Sequence, residues 1–132
     1  MKDTLSLFNE IREMYPLVKD TDATQAYNLM QKANLLRATL DEFAVECDKA
    51  AIVAKNNIDV VKSYLSYTFD PKNSTNGNRR AMCCDSYKDA VKAYADAKSK
   101  ADLYARQIEF LKNVSFQMFA VWDNCRKVGE RY

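Results

Sequence analysis

Lys55 and Lys62 stand seven residues apart, and Tyr64, Tyr67 and Phe69 follow them closely. Lys72, Arg79 and Arg80 come next, then Lys88 and Lys92. Residues 49–80 carry 6 basic and 2 acidic side chains, against 5 and 9 in residues 1–48 and 9 and 7 in residues 81–132. Cationic groups neutralise phosphates and aromatic faces accept stacked bases, the combination that holds single strands. Lys55, Lys62, Tyr64, Tyr67, Lys72, Arg79, Arg80 and Lys88 are therefore the candidate nucleic-acid contacts. The end of a helical hairpin also carries Lys and Arg for solubility alone, and Asp59, Asp85 and Asp89 dilute this patch. The pattern by itself is open to both readings.

Other chemistry finds little to work with. The chain has no histidine, hence neither the commonest general base nor the favoured metal ligand. Cys83 and Cys84 are too close in sequence for the usual pair of zinc ligands, and no second cysteine pair follows. Two glycines cannot build a P-loop, a dinucleotide turn or a nucleophile elbow. Asp41, Glu42 and Glu46 read as the solvated face of a helix. The sequence thus points to a protein that is not an enzyme and takes no cofactor or metal. The N-terminal Met1-Lys2-Asp3 does not open a signal peptide, and no apolar run approaches the ~20 residues of a membrane span. On that reading Cys47, Cys83, Cys84 and Cys125 are reduced thiols in a cytoplasmic compartment, and no membrane is a partner.

The elements that must position the basic residues are helices. With only 2 Gly and 2 Pro in 132 residues, a strand protein would lack its turns, so the expected class is all-α in a single domain, 1–132. Leu5, Phe8, Ile11, Met14 and Tyr15 predict a short amphipathic helix over about 4–15, closed by Pro16. Asp22, with Gln25 three residues on, resembles a capping box and opens a second helix over about 22–69. Its seam runs Leu29, Ala33, Leu36, Leu40, Phe43, Cys47, Ala50 and Ala54, then shifts to Ile58, Val61 and Leu65. The shift leaves pairs eleven apart, a period close to that of a straight helix. Residues 70–78 form the one concentrated breaker cluster, with Pro71 stopping the helix and Asn76-Gly77 making a turn.

A third helix over about 79–128 follows, with its seam at Cys83, Tyr87, Ala90, Tyr94, Ala97, Ala101, Tyr104, Ile108, Leu111, Ser115, Met118, Trp122 and Cys125. Two long helices joined by a short connection predict an antiparallel, coiled-coil-like hairpin. From Ile108 to Trp122 the apolar residues point in nearly every direction, more than the short N-terminal helix can cover. The rest is expected to meet another subunit, which makes Leu111, Val114, Phe116, Phe119 and Trp122 the candidate oligomer interface and a homo-oligomer the expected state.

Two segments carry a family resemblance. One is Ala54-Lys55-Asn56-Asn57-Ile58-Asp59-Val60-Val61-Lys62-Ser63-Tyr64, before the turn; the other is Ile108-Glu109-Phe110-Leu111-Lys112-Asn113-Val114-Ser115-Phe116-Gln117-Met118. With the basic hairpin and the apolar last helix, they resemble the phage recombination mediators of the UvsY type. The resemblance implies a ring-forming, non-catalytic protein of the host cytoplasm that binds single-stranded DNA and loads a recombinase onto it, with a recombinase or a single-strand-binding protein as its protein partner. It also implies that Lys55 and Lys62 contact DNA and that the last helix builds the oligomer. The rival expectation is a coiled-coil adaptor or assembly factor that binds only protein.

Overall fold

The computed structural model describes residues 3–131, and every regular element among them is helical. Helix α1 spans Thr4–Met14, and a 3-10 turn at Tyr15–Leu17 ends it where Pro16 removes an N–H. Helix α2 spans Ala23–Phe69, α3 Ser74–Met82 and α4 Asp85–Arg131. No strand occurs among the described residues.

Helix starts follow their polar residues. The Asp3 carboxylate accepts the Ser6 N–H at 2.7 Å, which caps α1 and lowers the Asp3 pKa. Asp22 accepts the Gln25 N–H at 3.0 Å and so opens α2. Its own N–H donates to the Lys19 carbonyl at 3.0 Å, so it has no need of the reciprocal half of a capping box.

The packing forms two compact units, Met1–Phe43 with Tyr104–Tyr132, and Ala44–Leu103. In the first unit, Phe8 and Ile11 of α1 join Leu29, Leu36 and Leu40 of α2 and Leu111, Val114 and Met118 of α4 in one core. Each such side chain, fully buried, contributes about 1.5–3 kcal/mol. Phe110 turns its edge to Phe8 at 5.4 Å and to Tyr15 at 6.1 Å, fixing α1 against α4. Across α2 and α4, Tyr27 meets Trp122 at 5.9 Å, Asn34 meets Ser115 at 2.7 Å and Phe43 meets Tyr104 at 6.0 Å.

The second unit holds the connection, and it departs from the expected turn at 70–78. Asn73 accepts the Asn76 N–H at 3.1 Å as the cap of α3, and Asp70 takes the Asn73 N–H at 3.1 Å and the Asn76 side-chain amide at 3.0 Å. The asparagine cluster therefore starts a helix. Gly77 is buried inside it, where an added Cβ would stand 2.6 Å from the Ser66 carbonyl oxygen. α3 lies that close to α2 because residue 77 has no side chain. The last helix begins at Asp85, later than the expected 79, because the chain breaks at Cys83 and Cys84. Their N–H groups donate to the carbonyls of Arg80 and Ala81, at 3.2 and 3.0 Å. Cys83 is exposed and does not belong to the seam. The shift in the α2 seam also comes earlier than expected: Ala51 is half-buried and Ala50 is exposed, so the step falls at Cys47–Ala51.

Candidate nucleic-acid interface

Every candidate contact, from Lys55 to Lys88, lies in the second unit. Lys55, Tyr64, Tyr67, Lys72, Arg79, Arg80 and Lys88 are exposed, and Lys62 is half-buried beside the seam. Lys55, Lys62, Lys72, Arg79 and Lys88 take part in no ion pair among the described residues. In the same unit Lys49 pairs with Glu46 at 3.6 Å and Lys98 with Asp102 at 3.9 Å, while in the first unit Lys127 pairs with Asp123 at 3.0 Å. Those five cations are thus left for solvent or for an anion, as are Lys92 and Lys100 of the same unit among the described residues.

Arg80 is the exception. Its guanidinium lies over the Phe69 ring, 4.9 Å from the centroid. It also faces Asp70, whose carboxyl is held below the ordinary range, first by the side-chain bond from Asn76 and in smaller part by Arg80 itself. Arg80 is a brace between α2 and α3 before it is a phosphate ligand.

The aromatic and cationic residues of α2 do not form one face. At about 100° per residue, Tyr64 is turned roughly 160° away from Lys62 around the axis, and Tyr67 about 140°. Interleaving in sequence therefore separates them in space. The tyrosines instead continue a row of exposed aliphatic residues, Val45, Ile52, Val53 and Val60. Sequence reasoning passed over that row because it was tracking the inward seam.

Two further features went unread in the sequence. A polar groove of about 330 Å³ lies along Ser63, Ser66, Tyr67, Asp70, Ser74 and Asn78, where α3 packs on α2. In the first unit a groove of about 750 Å³ is lined by Leu7, Ile11, Leu35, Leu36 and Phe43, with Lys32 and Glu10 paired at 3.5 Å on its rim. No short motif marks either: the first arises where the Asp70–Asn78 segment folds back on the end of α2, and the second joins residues of α1 to residues of α2.

The proposed oligomer surface is corrected in part. Leu111 and Val114 are 0% and 1% exposed within their own chain, because α1 and α2 enclose them, and they offer nothing to a second subunit. Phe116 and Phe119 remain exposed. Trp122 is half-buried between Tyr27 and Phe119, with the Arg126 guanidinium 5.5 Å above its ring.

Among the described residues, no three His, Cys, Asp or Glu side chains come together as a metal site, and no helix is long and apolar enough to cross a membrane. Comparison of the chain with family models, curated proteins and solved structures finds no match in any of the three.

Proposed function

We propose that this chain is a non-catalytic accessory protein that binds single-stranded DNA and assists the loading of a recombinase in phage-type recombination or replication. The observation that carries the reading is the set Lys55, Lys62, Lys72, Arg79 and Lys88, gathered in one compact unit and without an ion pair among the described residues. α2 and α4 form an antiparallel hairpin, and α3 at its tip adds Arg79. A few lysines bind a phosphate chain weakly, and several copies of the patch multiply that affinity without new contacts. Copies are joined through the exposed aromatic side of α4, at Phe116 and Phe119. The link to recombinase loading rests on the resemblance to mediators of the UvsY type.

A second reading, a coiled-coil adaptor that binds only protein, draws on the exposed aliphatic row of α2 and the apolar groove beside α1. Fluorescence anisotropy of a labelled single-stranded oligonucleotide separates the two. Binding that weakens steeply with salt, and is lost when Lys55, Lys62, Arg79 and Arg80 are all neutralised, supports the first. Equal binding by that quadruple variant would sink it in favour of the second.

A further inference from the structure

We infer that the groove between α2 and α3 holds one unpaired base of the bound single strand, with Tyr67 against the base and the phosphates outside on Lys72 and Arg79. The inference rests on the nucleic-acid reading above and adds the part of the strand that phosphate contacts leave unread. Ser63, Ser66, Tyr67 and Asp70 are spaced by three, four and seven, so they share one side of α2 and its C-terminal end. Ser74 and Asn78 of α3 form the opposite wall. Ser66, buried, is the floor, and α3 comes close to it because Gly77 has no Cβ. The groove holds about 330 Å³, at the low end of the roughly 300–1,000 Å³ of small-ligand sites, a scale that suits one nucleoside.

The lining matches both aspects of a base. Tyr67 is 73% exposed and is the one aromatic ring of the groove among the described residues, and every base has a π-face to lay against it. For the edge of the base, the Ser63 and Ser74 hydroxyls and the Asn78 amide can each donate and accept. Asp70 only accepts: its carboxyl pKa is lowered, first by the side-chain bond from Asn76, so it is charged at neutral pH. Every base has an N–H on its Watson–Crick edge to offer such a group. A phosphodiester has none and is repelled. In a duplex that edge is paired and the face is stacked, so the groove selects single strands.

The segment after α2 also supplies what α2 alone lacks. On α2 itself Tyr67 is turned about 140° from Lys62. In the groove it shares a lining with Pro71 and Asn78, and each of these is followed in sequence by a cation, Lys72 and Arg79. Both cations are exposed and in no ion pair among the described residues. A neutral sugar would use the same ring and the same polar edge, yet it would leave these two charges unanswered. A nucleotide strand answers the ring, the edge and the charges together.

Fluorescence anisotropy on the full chain tests this with a labelled oligonucleotide and the same backbone made abasic throughout. The two strands share every phosphate and differ only in their bases. The parent should bind the base-bearing strand about tenfold tighter, the worth of one stacked base. Tyr67→Ala should bring the two strands to equal affinity. So should Ser63→Leu, which fills the groove and leaves Tyr67 in place, while circular dichroism keeps the helix signal of both variants. Tyr67→Phe keeps the ring and should keep the preference. Equal binding of both strands by the parent, a preference that survives Tyr67→Ala or Ser63→Leu, or one lost in Tyr67→Phe would each overturn the inference. Salt-dependent binding would persist in those cases, and the nucleic-acid reading with it. Binding of neither strand at low salt would take down both.

Discussion

Ser115 on α4 donates its hydroxyl to the side-chain oxygen of Asn34 on α2, at 2.7 Å. Ser115 is the one polar interruption in an otherwise apolar or small seam, and the bond explains why the interruption is tolerated. A half-buried hydroxyl without a partner would cost more than the packing it displaces. The pair also ties two helices at residues 81 positions apart in sequence.

Ser115→Ala should therefore destabilise the protein by about 0.5–1.5 kcal/mol, the net worth of a hydrogen bond of this kind. In a double-mutant cycle with Asn34→Ala, urea denaturation should show a coupling of similar size. Additive losses would mean that the bond contributes nothing in solution.

Gly77 and Gly129 make opposite predictions for one substitution. Both lie in helices, where alanine is intrinsically better by about 0.8–1 kcal/mol. At Gly129 nothing lies within 4 Å of an added Cβ, so Gly129→Ala should be neutral or slightly stabilising. At Gly77 the Cβ would meet the Ser66 backbone at 2.6 Å, so α3 must shift. Overpacking of that kind costs about 1–3 kcal/mol and outweighs the propensity gain. Thermal melts of the two variants should move in different directions.

These glycines show where the sequence was legible and where it was not. The alternation from Tyr87 to Cys125 survives in the structure residue by residue, because a helix that buries one seam repeats a single geometric rule. Cys83 falls outside it because α3 ends at Met82 and α4 starts at Asp85, a break that no Pro or Gly near Cys83-Cys84 signals. Asn76-Gly77 reads locally as a turn, yet Gly77 serves a close approach between helices, which depends on a residue eleven positions away. Leu111 and Val114 are apolar whether they face a core or a partner, and only the position of α1 decides. Lys62 and Tyr64 look adjacent along the chain, but the helix turns them apart.

Asp70 predicts a pH dependence. Its folded pKa is lowered, chiefly by the Asn76 side-chain bond, so the stability it brings is present above the ordinary carboxylate pKa. That stability is lost as pH falls through the depressed value. Asn76→Ala should raise the Asp70 pKa toward the usual range, as read by NMR titration of its carboxyl carbon. The parent should also lose more stability than this variant between about pH 5 and pH 2. An unchanged titration would remove Asn76 as the cause.

Arg79 and Arg80 are neighbours with different surroundings, and nucleic-acid binding should tell them apart. The Arg79 side chain is exposed and in no ion pair among the described residues, so it can neutralise a phosphate and release a counterion. Each such phosphate adds about −0.7 to the slope of log affinity against log salt for a single strand. Arg79→Ala should therefore reduce the magnitude of that slope by roughly 0.7 and weaken all sequences alike, since phosphates carry no base identity. Arg80 holds its guanidinium 4.9 Å from the centre of the Phe69 ring. Arg80→Ala should change the slope less, and should lower stability by about 0.5–1 kcal/mol as the cation–π contact is lost. Salt titrations of oligonucleotide anisotropy, paired with urea melts, measure both quantities on the same samples. Identical slopes for the parent and Arg79→Ala would take Arg79 out of the proposed contact surface.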